Sequence, residues 1–163
     1  MNWWGALAWA QWLGQVGYAG ASNWRLWSPF NSDGSGPCAD SFTCTGSELG
    51  HLFFGEGGLN GGQPITADPL GIIPRYFVNL QTALPYWSNA EYDSVDAYRF
   101  GTVDGWQDRN MKTNTSCGWV VRAGRIPSTG VTHGVPTVSE WGLAALPARV
   151  VAAAGMRLRR RSG

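Results

Sequence analysis

The chain has 163 residues, which suffices for one domain with a hydrophobic core but not for two domains of ordinary size. Its ten tryptophans, twenty-three glycines and 14% charged residues are typical of extracellular recognition domains, in which loops cover a small aromatic core, rather than of a cytosolic α/β enzyme. Five of the twelve basic residues lie near the C-terminus, so residues 1–135 carry seven basic and ten acidic side chains, a net charge of −3, which argues against nucleic acid as a partner.

An amphipathic helix over residues 3–16 is the first predicted element. Its apolar residues recur at intervals of three and four, which places them on one face: Trp9, Trp12, Leu13 and Val16. Gly17 ends the helix. Residues 24–26 then have the character of a short strand or an extended turn.

Long loops surround a second predicted helix. Residues 28–47 are rich in Ser, Asp, Gly and Pro and are predicted to form a loop, as are residues 55–73. Between these loops, Ser47 is predicted to cap a helix over residues 48–54. Its apolar face is predicted to contain Leu49, Leu52 and Phe53.

Two of the three cysteines flank a short polar stretch within the first loop. A disulfide between Cys38 and Cys44 would add about 2 kcal/mol of stability in the chain-entropy model, and it requires an oxidising compartment. Two free thiols are the alternative, because spacing alone does not fix pairing. The remaining Cys117 is predicted to be a small buried hydrophobic residue rather than a reactive thiol.

The second half of the chain is predicted to form an antiparallel β meander. Three short runs rich in aromatic and β-branched residues, at 86–88, 97–100 and 119–122, have the length of strands. Asp104 and Gly105 form a hairpin-turn signal between two of them. The predicted fold class is therefore α+β, with two helices early, a meander late and long loops throughout.

Three groups of residues, in this order along the chain, resemble the C-terminal domain of collagen-like adhesins (the Lcl C-terminal domain), which is frequent in secreted bacterial proteins. The first group is the tryptophan-rich helix with Trp24, Arg25 and Leu26. The other two groups comprise residues 48–53, 77–81, 86–92, 97–100, 104–107 and 119–124. The resemblance covers about residues 3–124 and implies a C-type-lectin-like fold, distantly related to formylglycine-generating enzymes.

The chain departs from this family at two places. Trp27 stands where the family has proline, so the turn after Leu26 is expected to differ. Family members also have a strand and a signal peptide before the first helix. We therefore expect Met1 to be an internal methionine and residues 1–125 to be an N-terminally truncated domain of this family, with one sheet edge left unpaired.

A different segment follows this domain. Residues 126–134 are small, polar and aperiodic and are predicted to be a linker. Residues 135–163, with a short motif, an apolar stretch and terminal arginines, resemble the IPTL-CTERM sorting signal that exosortase-type enzymes recognise. The motif residues are Pro136, Thr137, Ser139, Glu140, Trp141 and Gly142. This resemblance implies a sorting protease of exosortase type as a partner and an address on the bacterial envelope.

The apolar stretch of the tail is poorly suited to span a membrane. Arg149 near its centre costs about 3 kcal/mol on the insertion scale, and the run is shorter than the ~20 residues that a span needs. Transient membrane contact is therefore expected from the tail. A basic amphipathic helix that serves solubility is the alternative.

Catalytic groups are scarce in the sequence. His51 lies on the second predicted helix and His133 in the predicted linker, and no Ser or Cys context in the sequence suggests a catalytic partner for them. The protein is therefore predicted not to be an enzyme. A remnant of a formylglycine-generating-like enzyme is kept as an alternative.

Acidic residues around the late strands carry the oxygen ligands that calcium prefers. The predicted calcium ligands are Glu91, Asp93, Asp96 and Asp104, with Asp108 nearby. Their spacing does not resemble an EF-hand, which favours solvated loop carboxylates over a metal site. The expectation is therefore no cofactor, with calcium as the exception to test.

Tyr92, Tyr98 and Trp106 are the candidate ligand-binding residues, because aromatic rings on late loops and strands can form a platform for sugars or peptides. The alternative is that some of them belong to the core. The expected function is a secreted or surface-displayed bacterial recognition or adhesion domain that binds carbohydrate or a matrix polymer. A structural protein of the extracellular matrix or biofilm, without a discrete ligand, is the second hypothesis.

Overall fold

Short helices and strands are joined by long loops over residues 1–123, the part of the chain that the computed structural model describes. The helices are α1 (Trp3–Gln15), α2 (Glu48–Gly50, continued by a π-helix over His51–Glu56) and α3 (Ile72–Tyr76). The strands are β1 (Arg25–Leu26), β2 (Tyr86–Glu91), β3 (Asp96–Phe100), β4 (Gln107–Met111), β5 (Cys117–Gly118) and β6 (Val120–Val121). The architecture is α+β, and none of the helices in this part is long and apolar enough to cross a membrane. The predicted linker and sorting tail lie outside the described residues.

Helix α1 begins where predicted but buries a different face. Asn2 caps it, since the Asn2 side chain accepts a hydrogen bond from the Gly5 amide at 2.9 Å. Of the predicted apolar face, Leu13 is buried and Trp9 is half-buried, whereas Trp12 and Val16 are exposed. The buried residues are Trp3, Ala6, Ala10 and Leu13. Alanines at two of these positions let the helix backbone lie close to the strands, whereas the side chains of Trp4 and Trp12 are exposed.

The meander predicted late in the chain is present in part. In the main sheet, of order β4-β3-β2-β5, the strands β2, β3 and β4 pair antiparallel in sequence order. Strand β5 instead runs parallel to β2, with Cys117 opposite Tyr86. Strand β6 leaves this sheet and pairs antiparallel with β1, with Val121 opposite Arg25. The strand predicted over residues 119–122 is therefore present at Val120–Val121, but it does not belong to the meander.

The turn between β3 and β4 confirms the hairpin signal at Asp104 and Gly105. Gly105 has a φ of 77°, a left-handed conformation that glycine adopts without strain. A Cβ at this position would also lie 2.7 Å from the ring of Phe53. Only glycine therefore allows the turn to pack against the π-helix.

The core lies between the main sheet and the α2 region. Its buried residues are Trp27, Leu49, Phe53, Leu59, Ile65, Ile73, Tyr86, Phe100 and Trp119. Phe100 is central among them, since its ring centroid lies 6.0 Å from that of Trp27 and 5.7 Å from that of Phe53. Edge-to-face contacts of this kind add to the stabilisation from area burial. A few aromatic rings thus hold a chain in which loops predominate.

Ser47 caps α2 as predicted, and an ion pair fixes the same end of the helix to β1. The Arg25 guanidinium donates to both oxygens of Glu48, with N to O distances of 2.7 and 2.5 Å. The Ser28 amide donates to the same carboxylate at 2.6 Å. Burial by itself would raise the pKa of Glu48, but the hydrogen bonds from Arg25 and Ser28 outweigh it and hold the pKa below its usual value of 4.5.

This carboxylate makes the free energy of unfolding depend on pH in the acidic range. Because the pKa of Glu48 is lower in the folded state, its contribution is fully present above its usual value of 4.5 and is lost as the pH falls through the depressed value. We expect the urea midpoint of Glu48→Gln to fall less steeply than that of the wild type between neutral pH and about pH 3. Equal slopes for the two proteins would show that Glu48 contributes nothing to the acid dependence.

Candidate ligand-binding surface

A disulfide closes the loop that carries the candidate surface. Cys38 and Cys44 are bonded, which confirms the predicted pairing. The loop lies along the outer edge of β4, where Ser41 pairs antiparallel with Gln107. Two backbone hydrogen bonds form this pair, at 3.2 and 3.1 Å. The loop therefore continues the sheet beyond β4 for one residue pair.

The side chain of Gln107 holds this loop from beneath. It is fully buried, and its Oε1 accepts a hydrogen bond from the Ser47 hydroxyl at 2.7 Å. Its Nε2 donates to the carbonyl oxygen of Cys38 at 2.6 Å. Buried polar groups are costly unless they are bonded, and here both ends of the amide are. Gln107 thus couples the disulfide loop to the start of α2.

Beside this anchor, Arg109 of β4 joins the loop to Tyr92. Its Nη1 lies 3.1 Å from the carboxylate of Asp40, and its Cζ lies 4.2 Å from the ring centroid of Tyr92. The Tyr92 ring is 44% exposed and meets the Tyr98 ring edge-to-face at 5.5 Å. A guanidinium stacked on an aromatic ring and paired with a carboxylate is held in one orientation.

On the other side of the anchor, Phe42 contacts Trp106. Their ring centroids are 4.5 Å apart in an edge-to-face arrangement, and Phe42 is 41% exposed. Asp104 fixes the backbone here, because its carboxylate accepts a hydrogen bond from the Trp106 amide at 3.0 Å. Gly61 comes so close to Phe42 that a Cβ on the glycine would lie 2.6 Å from the phenylalanine side chain.

These contacts define one surface, which we call the disulfide ridge. It consists of Asp40, Phe42, Tyr92, Trp106 and Arg109. The ridge combines three aromatic rings with one ion pair, so its formal charge is zero. Aromatic rings can contact the apolar C–H groups of a ligand, while the guanidinium donates and the carboxylate accepts hydrogen bonds. Such a surface suits a neutral polar ligand.

The three predicted ligand-binding residues have different positions. Tyr92 and Trp106 belong to the ridge. Tyr98 is only 7% exposed and supports the Tyr92 ring, and burial raises the pKa of its hydroxyl. Asp40, Phe42 and Arg109 were missed by the sequence analysis. The signal that could have found the two loop residues was the Cys38–Cys44 spacing itself.

Three of the four predicted calcium ligands, Glu91, Asp93 and Asp104, already have other roles. Glu91 lies 3.0 Å from the Nζ of the buried Lys112. Asp93 accepts hydrogen bonds from the Val95 and Asp96 amides, which lower the pKa of its carboxyl. Within residues 1–123, no group of three or more His, Cys, Asp and Glu side chains could hold a metal ion. Calcium binding by these carboxylates thus stays a prediction without geometric support. Asp108, the fifth acid of this set, is paired as well, because both its carboxylate oxygens accept hydrogen bonds from Arg99.

The groups considered for catalysis lie apart from the ridge. His51 is exposed on the π-helix, and its Nε2 lies 3.4 Å from Glu56. Cys117 is unpaired and half-buried in β5, and burial raises the pKa of its thiol. A raised pKa keeps the thiol protonated and therefore a poor nucleophile. His133 lies outside the described residues.

Comparison of this chain with known protein families, curated proteins and solved structures finds no match. The resemblances to the Lcl C-terminal domain and to the IPTL-CTERM signal therefore stay predictions.

Proposed function

We propose that residues 1–125 form a C-type-lectin-like recognition domain that binds a neutral carbohydrate through the disulfide ridge. One observation carries this proposal: the loop closed by Cys38 and Cys44 lies along β4, with Phe42 against Trp106 and Asp40 against Arg109. Binding residues on a loop that a rigid scaffold holds are a recurrent arrangement in recognition proteins. The ridge supplies ring surfaces and hydrogen-bonding groups without net charge.

Charge supports a neutral ligand over a sulfated one. Residues 1–123 carry six basic and ten acidic side chains, and such a surplus of negative charge repels polyanions. Within the ridge, the one cation is paired with Asp40. A polyanion would have to displace this partner before it could reach the Arg109 guanidinium.

The proposed location is the outside of a bacterial cell. The Cys38–Cys44 disulfide supports it, because such bonds form and persist in oxidising compartments. Display through the tail at residues 135–163, with an exosortase-type protease as partner, is part of the same proposal. Under this proposal the domain binds its carbohydrate ligand and catalyses no reaction on it.

A glycan array probed with the whole chain tests this function. We expect hits among neutral glycans, and we expect Tyr92→Ala or Phe42→Ala to weaken binding to those glycans about tenfold, because each change removes an exposed ring from the ridge. The chain offers matched controls in Tyr76 and Phe30, which are exposed rings outside the ridge. Tyr76→Ala and Phe30→Ala should bind as the wild type does.

The same array distinguishes the competing hypotheses. A clean blank, with and without calcium, would contradict recognition and favour a structural matrix protein without a discrete ligand. Binding that appears only with calcium would contradict the metal-free ridge described above. Equal losses in the ridge variants and in their controls would show that folding, not contact, had changed.

A further inference from the structure

A groove between α1 and β1 shares no residue with the disulfide ridge. It encloses about 400 Å³, within the size range of pockets that bind small ligands. Its lining comes from α1, from the segment 22–26 and from Asn89 of β2. Gly14 sets the spacing of its walls, because a Cβ on Gly14 would lie 2.5 Å from the carbonyl oxygen of Ser22.

One part of the groove is apolar. Leu7, Ala10 and Leu26 supply aliphatic surface. The Trp24 indole stands beside them, and its Nε1 donates to the carbonyl oxygen of Tyr18 at 2.9 Å. The indole is therefore fixed in position before a ligand arrives, which lowers the entropic cost of binding.

Three side-chain amides form the polar part: Gln11, Gln15 and Asn89. Each has two N–H donors and a carbonyl acceptor. Across the described residues, none of these amide groups hydrogen-bonds to another side chain or to the backbone. A ligand in the groove therefore has to displace water only, and no internal bond of the protein has to break.

The groove carries no net charge. Among residues 1–123, Arg25 is the one charged residue in its lining, and Glu48 accepts hydrogen bonds from both terminal nitrogens of that guanidinium. Ionic ligands thus find no unpaired counter-charge. Amides that donate and accept side by side match the hydroxyl groups of a sugar, since a hydroxyl also donates and accepts.

We propose that this groove is a second binding site and that its ligand is a neutral oligosaccharide segment. The polar groups of the groove are side-chain amides, which can donate to and accept from the hydroxyl groups of a sugar. The inference shares its ligand class with the proposed function, but it depends on none of the ridge residues. Two sites on one domain would let it hold one polymer at two points, or link two polymers.

Nuclear magnetic resonance of the whole chain, labelled with ¹⁵N, tests the groove directly. The probes are chitotetraose, cellotetraose and maltotetraose, titrated separately. We expect at least one of them to shift the side-chain amide resonances of Gln11, Gln15 and Asn89 together. The double variant Gln11→Ala with Asn89→Ala should bind that probe about tenfold more weakly, since it loses two ligand hydrogen bonds.

Two further variants complete the test. Ser22→Trp fills the groove from an exposed position and should abolish the shifts. Gln81→Ala removes an exposed amide outside the groove and should leave them unchanged. Thermal unfolding of each variant shows whether the fold is retained, and Gln11→Ala alone serves if the double variant unfolds.

The outcomes separate this inference from the proposed function. Absence of shifts with all three sugars, or larger shifts with an uncharged Ser-Ala hexapeptide, would overturn the groove as a sugar site. If none of the sugars shifts the groove amides while Tyr92→Ala loses binding on the array, the groove inference fails and the ridge stands. A third outcome would support the groove alone. In it, the sugar still shifts the groove amides of Tyr92→Ala, and the ridge variants bind the array glycans as the wild type does.

Discussion

Trp27→Ala is expected to lower the free energy of unfolding by about 3–5 kcal/mol, the cost of removing a large buried aromatic side chain. Trp27 is fully buried and packs on Phe100. Its backbone also joins the two sheets, since its amide donates to the Trp119 carbonyl and its carbonyl accepts from the Asn89 amide. Urea denaturation followed by circular dichroism measures the loss.

Trp27→Phe is the matched control. It keeps a ring against Phe100 and loses part of the volume together with the Nε1 hydrogen bond to the Tyr86 carbonyl, at 3.3 Å. We expect this variant to lie between the wild type and Trp27→Ala. If Trp27→Ala lost less than about 1 kcal/mol, a value ordinary for a surface substitution, the packing described for the core would be wrong.

Replacing both Cys38 and Cys44 with serine is expected to lower the free energy of unfolding by about 2 kcal/mol, because the ring no longer restricts the unfolded chain. We also expect glycan binding by this double variant to fall more than in Tyr92→Ala or Phe42→Ala. Both Asp40 and Phe42 lie within the ring that this bond closes. Urea denaturation and glycan titration of the same protein measure the two effects.

Cys117→Ser controls for the loss of a cysteine as such. Cys117 lies in β5, outside the disulfide loop, so its replacement should leave glycan binding intact. A double serine variant that binds as tightly as the wild type would remove the loop from the binding surface. The ridge would then reduce to Tyr92, Trp106 and Arg109.

Local signals allowed the sequence to predict much of the fold. Ser47 caps α2 and Gly105 makes the β3–β4 turn, and each effect depends only on residues close in the chain. The buried face of α1 was harder to predict, since this helix contains no charged residue that marks its solvent side. Strand β4 was missed because its residues, Gln107–Met111, are mostly polar. Pairing with β3 and the bonds of Gln107 place it in the sheet, and hydrophobic alternation does not reveal such contacts.

The candidate surface was predicted only in part for a similar reason. Tyr92 and Trp106 could be named because aromatic residues near late strands are conspicuous in the sequence. The positions of Asp40 and Phe42 depend on the pairing of Ser41 with Gln107, which are far apart in the chain. No local pattern encodes such a pairing. The parallel pairing of β5 with β2 went unpredicted on the same grounds.

Hydrogen bonds and a strand pair join the first and last described segments of the chain. Met1 and Ser116 exchange two hydrogen bonds, and Arg25 pairs with Val121. A growing polypeptide cannot complete this architecture until residue 121 has left the ribosome. Contacts between such distant residues also slow folding, because the loop between them must close before they can form. Until then α1, with its uncharged sequence rich in tryptophan, lacks part of the strand surface that covers its inner side, so the nascent chain would gain from a chaperone during synthesis.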